Sequence, residues 1–178
     1  MPVRNQAKIP LGIVVDRHDM DNPWQDCRWE PVAVIPGAGP LAPDGPWTVL
    51  DQGEGWERYH AGTLPLELFA GETEAYMTNL SQDPPRLFVV LRSGEDQDSQ
   101  HEFLPFLVTA SAFEAQDYLD SGEDMVEPVV MPEAVAAFVQ SFVDKHHVDQ
   151  TFYKRKRTPA ESGDESFARR PRPGRRHG

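Results

Sequence analysis

The chain reads as an α+β protein: a mainly antiparallel sheet of six or seven strands, with two C-terminal helices packed on it, followed by a disordered basic tail. Three observations predict this. Across residues 9–110 the apolar residues come in short runs, several alternating with a period of two, separated by Gly, Pro and acidic turns. After Ser111 the apolar period becomes that of a helix. Beyond Tyr153 the periodicity stops, and charge, Pro and Gly take over.

The first strand is "IPLGIVV", which sets Ile9, Leu11, Ile13 and Val15 on one face. "WEPVAVI" is the second. "PGAGPLAPDGP" carries four prolines and three glycines and must be a loop. "WTVLDQGEGWERYHAGTLPLEL" reads as two strands around a Gly-Glu-Gly turn, the second running on into "TLPLELF" with Leu64, Leu66 and Leu68 on one side. "EAYMTNL" follows a turn at Ala70-Gly71 and is read with the strands. "RLFVVLR" is a continuous apolar run, as expected of a central strand buried on both faces. "SGEDQDSQ" is a hairpin loop, and "FLPFLVTA" is its return strand. Ser111 and Glu114 have the spacing of a capping box and start a short helix that "SGED" ends. A second helix starts near Pro132. Its Val135, Phe138, Val139, Phe142 and Val143 make one stripe at 3.6-residue spacing, and Lys145, His146 and His147 suit the dipole at its C-terminal end.

Charge divides the chain. Residues 154–178 hold nine Lys/Arg against three Asp/Glu, a net of +6; residues 1–153 hold eight against 26, a net of −18. The expected organisation is a single acidic domain, residues 1–153, and a disordered basic tail, residues 154–178. An acidic body opposes the term that dominates binding to a phosphate backbone, so nucleic acid is an unfavoured partner. The one cysteine, Cys27, rules out an internal disulfide. No apolar run reaches the roughly 18 residues of a membrane span. The N-terminal apolar run is too short for a signal peptide. A cytoplasmic protein is expected.

Candidate chemistry is sparse. His146 and His147 are adjacent, so on a helix they point about 100° apart and do not share an ion. "DRHDMDNPWQDC" matches neither a calcium loop nor a zinc motif, and its carboxylates would raise the Cys27 thiol pKa. No metal site, cofactor or catalytic residue is assigned. In "ERYHAGT", strand alternation puts Glu57 and Tyr59 on one face and Arg58 and His60 on the other. Trp24, Trp29, Trp47 and Trp56 all fall in the first third; they either line a peptide groove or pack strand ends. Trp24, Trp29, Arg58 and His60 are the candidate pocket. Phe152, Tyr153, Lys154, Arg155, Lys156 and Arg157 are the candidate partner-binding segment, two aromatics followed by four cations.

Three stretches, "IPLGIVVDRHDMDNPWQDCRWEPVAVIPG", "WERYHAGTLPLELFAGETEAYMTNLSQDPPRLFVVLR" and "EAQDYLDSGEDMVEPVVMPEAVAAFVQSFVDKHHVDQTFYKRKR", taken together resemble an uncharacterised bacterial family of unknown function. The likeness spans roughly residues 9–157. It implies genes beside those of molybdenum-dependent formate dehydrogenase, and members often labelled molybdopterin-guanine dinucleotide biosynthesis protein A. The guanylyltransferases of that name resemble one another in an L-A-G-G-x-S-x-R-M-G loop after the first strand. Here that place is taken by "DRHDMDNPWQDC", acidic and without glycine, which would repel a triphosphate. The resemblance brings no catalytic residues.

The function expected is therefore a non-enzymatic accessory protein for assembling or maturing a molybdenum enzyme, formate dehydrogenase first, by binding a subunit or accessory factor. The alternative is an enzyme or carrier of the molybdenum cofactor. That reading requires Arg17, Arg28, Arg58, Arg86 and Arg92 to converge in one cleft. A third reading is a regulator binding nucleic acid through its tail.

Overall fold

The computed structural model describes residues 5–95 and 99–156, with side chains as far as His147. Seven strands and three helices follow in the order β1 (Gln6–Asp19), β2 (Cys27–Pro36), β3 (Thr48–Gly53), β4 (Trp56–Phe69), α1 (Thr73–Leu80), β5 (Arg86–Ser93), β6 (Phe103–Thr109), α2 (Ala112–Ser121), β7 (Met125–Val130) and α3 (Glu133–Lys156). The seven strands form one sheet in the order β2-β1-β4-β6-β5-β7, with β3 pairing the first part of β4. Every pairing is antiparallel except β4 with β6, which meet in parallel at Leu66 and Val108. The α+β class with a mainly antiparallel sheet is what the alternation predicted.

The sheet is strongly curled. Each of four pairings carries one extra residue on one strand, at Val14/Val15 against β2, Gly12/Val14 against β4, Val49/Asp51 and Val90/Leu91. Such bulges bend a strand and increase its twist. As a result β2 and β7, the two ends of the strand order, approach each other. The main core lies inside the curl. Leu11, Ile13 and Val15 of β1, Leu66 and Leu68 of β4 and Leu87, Val89 and Leu91 of β5 are each under 2 % exposed there, together with Val135 and Val139 of α3. Fully burying a side chain of this size contributes about 1.5–3 kcal/mol. α2 packs on the other face, where Ala115 meets Val90 and Val126. This is why β5 is apolar at consecutive positions: it is covered on both faces.

Three expectations are corrected. "EAYMTNL" lies in helix α1, not a strand. A strand, β7, stands between the two C-terminal helices. α3 begins at Glu133, with the Pro132 carbonyl accepting from the Ala136 N–H, and runs to Lys156, so His146 and His147 lie within it and not at its end. The Ser111 hydroxyl does cap α2, accepting from the Glu114 N–H at 3.2 Å. The return half of a capping box is replaced: the Ser111 N–H donates to Thr109 Oγ1. Gly122 at φ 73° ends the helix.

The proline-rich loop, residues 37–47, is seated on β1 and β4 at two glycines. A Cβ on Gly12 would meet the Ala38 Cβ at 2.8 Å and His60 Nε2 at 2.9 Å; one on Gly62 would meet Pro43 at 2.7 Å. Gly62 also has φ +137°, a conformation that other residues rarely adopt and only with strain. The Thr63 N–H donates to the Leu41 carbonyl at 2.8 Å and its hydroxyl to the Gly39 carbonyl at 2.6 Å, which fixes the loop.

Candidate functional site

Register places one set of chemistry-bearing residues at a single end of the sheet. β1 starts at Gln6 beside Phe69 and α1, and its last residues lie roughly 40 Å further on at strand rise. There the inward face presents Arg17, Trp29, Glu57 and Tyr59, and loops bring in Trp47, His101 and Glu102. Trp29 and Trp47 meet edge to face at 5.7 Å, Tyr59 lies 5.6 Å from Trp47, and the His101 ring stacks on Trp47 at 3.8 Å. Each polar tip is engaged. Trp47 Nε1 donates to the Pro43 carbonyl at 2.8 Å, Trp29 Nε1 to Glu102 Oε2 at 3.0 Å, and the Tyr59 hydroxyl to Glu57; His101 Nε2 lies 2.7 Å from the Gly45 carbonyl oxygen. Half-buried aromatics with satisfied tips act as packing units. The cluster packs at this end of the curl, with each of these tips in a hydrogen bond.

Cys27 is buried beside this cluster, its Sγ 3.8 Å from Glu102 Oε2. Burial pushes its thiol pKa up and Glu102 adds to this, while Arg17 opposes it. The thiol therefore stays protonated at neutral pH, unlike a catalytic cysteine.

On the outer face, Arg58 grips Asp16 in two hydrogen bonds, Nε to Oδ1 at 2.7 Å and Nη2 to Oδ2 at 2.9 Å. These bonds raise the Arg58 pKa first, with a smaller contribution from Asp51. His18 Nε2 lies 3.7 Å from Asp16 Oδ2, too far for a hydrogen bond.

Beyond the strand ends, the loop between β1 and β2 carries Trp24 at 89 % exposure. Its N–H donates to Asn22 Oδ1 at 2.8 Å, a side-chain turn that sets the loop. Asp19, Asp21 and Asp26 flank it in sequence.

Among the candidate pocket residues, Arg58 and His60 share the outer face, as alternation predicted. His60 Nε2 lies 3.0 Å from Thr63 Oγ1. Trp29 is on the opposite, inward face and Trp24 projects past the sheet, so the four are not brought together. Of the tryptophans, Trp29 and Trp47 pack and Trp56 lies under the Arg58 guanidinium at 5.7 Å. In the candidate partner-binding segment, the backbone of 152–156 continues α3; the side chains of Phe152, Tyr153, Lys154, Arg155 and Lys156, and all of Arg157, lie outside the described residues, as does the rest of the tail. Sequence reasoning missed His101 and Glu102, which come from the far side of the hairpin loop and carry no local motif.

The five arginines of the cofactor reading do not converge. Arg17 pairs with Asp19 at 2.9 Å, Arg28 with Glu30 at 3.1 Å, Arg58 with Asp16 and Arg92 with Asp124 at 2.9 Å. Arg86 and Arg92 sit at opposite ends of β5, roughly 20 Å apart by strand rise. Among the described residues no three His, Cys, Asp or Glu side chains are placed to hold a metal ion, and no helix is long and apolar enough to cross a membrane.

No curated protein and no solved structure matches the chain. The family described as "protein of unknown function" (DUF3305) matches residues 10–156, nearly the whole described chain, and this protein belongs to it.

Proposed function

We propose that this protein is a non-enzymatic accessory protein that acts by binding another protein, in the assembly or maturation of a molybdenum enzyme, formate dehydrogenase first. The observation that carries the binding reading is Trp24. A tryptophan 89 % exposed on a loop set by its own hydrogen bond keeps a large apolar surface in water. That arrangement suits an anchor that buries in a partner's pocket, and tryptophan is enriched among such anchors. The neighbouring aspartates call for a partner surface with cations around that pocket. The basic segment Phe152 to Arg157 supplies a second contact of opposite sign, at the other end of the chain. The pathway rests on the family resemblance described for the sequence. The cofactor-carrier alternative is weaker because four of its five arginines are already paired with carboxylates of the chain.

The test is affinity capture from the native host at low and moderate salt, comparing the full-length chain, Trp24→Ala, and a chain ending at Tyr153. A molybdoenzyme subunit or cofactor-insertion protein retained by the full-length chain, and lost at least tenfold in Trp24→Ala, is the expected result. Capture of no such protein, with a pterin or nucleotide carried by the purified chain, would move the function to the cofactor reading.

A further inference from the structure

We infer that the cavity between the start of β1 and α3 is a binding site for a small phosphorylated organic molecule bearing a single phosphate. The cavity has a volume of about 1030 Å³ and is lined by Lys8 and Glu67 from the sheet and by Phe138, Phe142, Lys145 and His146 from α3. It lies at the opposite end of the sheet from the aromatic cluster, so it is separate from the Trp24 surface and goes beyond the docking reading.

Three observations carry the inference. Lys8 and Lys145 are the only lysines in residues 1–153, a stretch with 26 carboxylates. The fold brings both to this one cavity, and neither has an ion pair among the described residues, whereas four arginines of the body are each paired. Second, His146 is 4 % exposed and its imidazole makes no hydrogen bond or ion pair among the described residues; its one ring contact there is Phe142 at 4.3 Å. Buried polar groups are almost always hydrogen-bonded, and an imidazole has an N–H to donate in either tautomer. A ligand oxygen in the cavity would satisfy it. Third, the other polar linings, Ser141, Gln6 and Asn5, all offer donors.

Lysine binds phosphate as a point charge, and a phosphate's terminal oxygens match this number of donors better than the two oxygens of a carboxylate. The apolar walls, Phe138 and Phe142, call for a neutral hydrocarbon or ring on the same molecule. Glu67, in register opposite Lys8, is the one carboxylate in the lining. It would repel a second anionic group, which restricts the ligand to one phosphate.

Phenyl phosphate is the probe, titrated into the full-length chain by calorimetry and by NMR of the His146 imidazole. The expected result is saturable binding that shifts the His146 resonances, tighter than inorganic phosphate or phenol alone. Lys8→Gln and Lys145→Gln, both at exposed positions that leave the core intact, each weaken it about fivefold or more, through loss of one charge–phosphate contact. Three results would overturn the proposal: no saturation at millimolar probe; unchanged affinity in the Lys8→Gln/Lys145→Gln double variant, which would place the anion on residues 154–178; or inorganic phosphate binding as tightly as phenyl phosphate.

Discussion

Asp16 is 4 % exposed, and its carboxylate survives burial because the Arg58 fork supplies two short hydrogen bonds. Asp124 is handled the same way by Arg92, whose guanidinium also lies 3.5 Å from the Phe106 ring. Two groups that ionise at high pH are treated differently. Tyr76 is 1 % exposed; its oxygen accepts from the Phe69 N–H at 3.0 Å and its hydroxyl donates to Glu72 at 3.2 Å. Burial raises its pKa far above the ordinary tyrosine range, Glu72 adds to the rise, and the Phe69 N–H opposes it. Cys27 is raised too, by burial first. Both groups are neutral when protonated, and both hold their protons more tightly folded than unfolded. Their contribution to stability is therefore complete below the unfolded pKa values, about 8.5 for the thiol and 10 for the phenol, and is lost as pH rises past them. Urea-unfolding stability should be level from pH 7 to about 8.5 and fall through pH 9–11. Tyr76→Phe should begin about 1–2 kcal/mol lower at pH 7, having left the Phe69 N–H unpartnered, and fall less steeply above pH 10. A Tyr76→Phe slope equal to the parent's would mean that the buried phenol does not govern alkaline stability.

At the scale of elements, what was legible in the sequence was whatever apolar period alone determines. Leu11, Ile13 and Val15, the run through β5, and the stripe of α3 all fall in the core as spaced. α1 escaped because its buried face is Thr73, Tyr76 and Asn79 beside Ala75, so two of its helical-period positions are polar. β7 escaped because Pro128 interrupts it; the strand tolerates a residue without an N–H because it lies at the end of the strand order, pairing only with β5. Asn79 shows why a polar residue can hold a core position. Its Nδ2 donates to the carbonyls of Arg86 at 2.6 Å and Ala110 at 2.8 Å, and its Oδ1 accepts from the Arg86 N–H at 2.9 Å. It stands in for a strand partner at the start of β5 and fastens α1 to β5 and to the end of β6. Asn79→Ala should cost about 2–4 kcal/mol, since it strands three backbone groups with little water to replace the lost bonds. Thr78→Ala, one residue earlier on the exposed side, should stay within about 0.5 kcal/mol. Thermal or urea unfolding of the two variants checks this, and equal effects would show that the Asn79 bridge contributes nothing beyond helix propensity.

For the molecule as a whole, composition revealed the charge division, but not where single charges meet. Lys8 and Lys145 come from opposite ends of the domain sequence, and Cys27 and Glu102 are 75 residues apart; only the packing of α3 on β1 and the pairing of distant strands bring the members of each pair to one place. The division itself has a thermodynamic consequence that does not depend on the tail's conformation. The full chain carries a net −12, while residues 1–153 alone carry −18. Removing residues 154–178 therefore increases the self-repulsion of a folded body that already holds 26 carboxylates. Repulsion between surface charges is screened as the Debye length shrinks from about 10 Å at 0.1 M salt to about 3 Å at 1 M. A chain ending at Tyr153 should melt several degrees below the full-length chain at low ionic strength, by the roughly 4–8 °C per kcal/mol typical of a small domain to somewhat less at this size. The gap should narrow steadily with sodium chloride and close near 1 M. A gap that persists at high salt would mean that residues 154–178 stabilise the domain through uncharged contacts; no gap at low salt would mean that the body's carboxylates are already neutralised locally, as Asp16 and Asp124 are by their arginines.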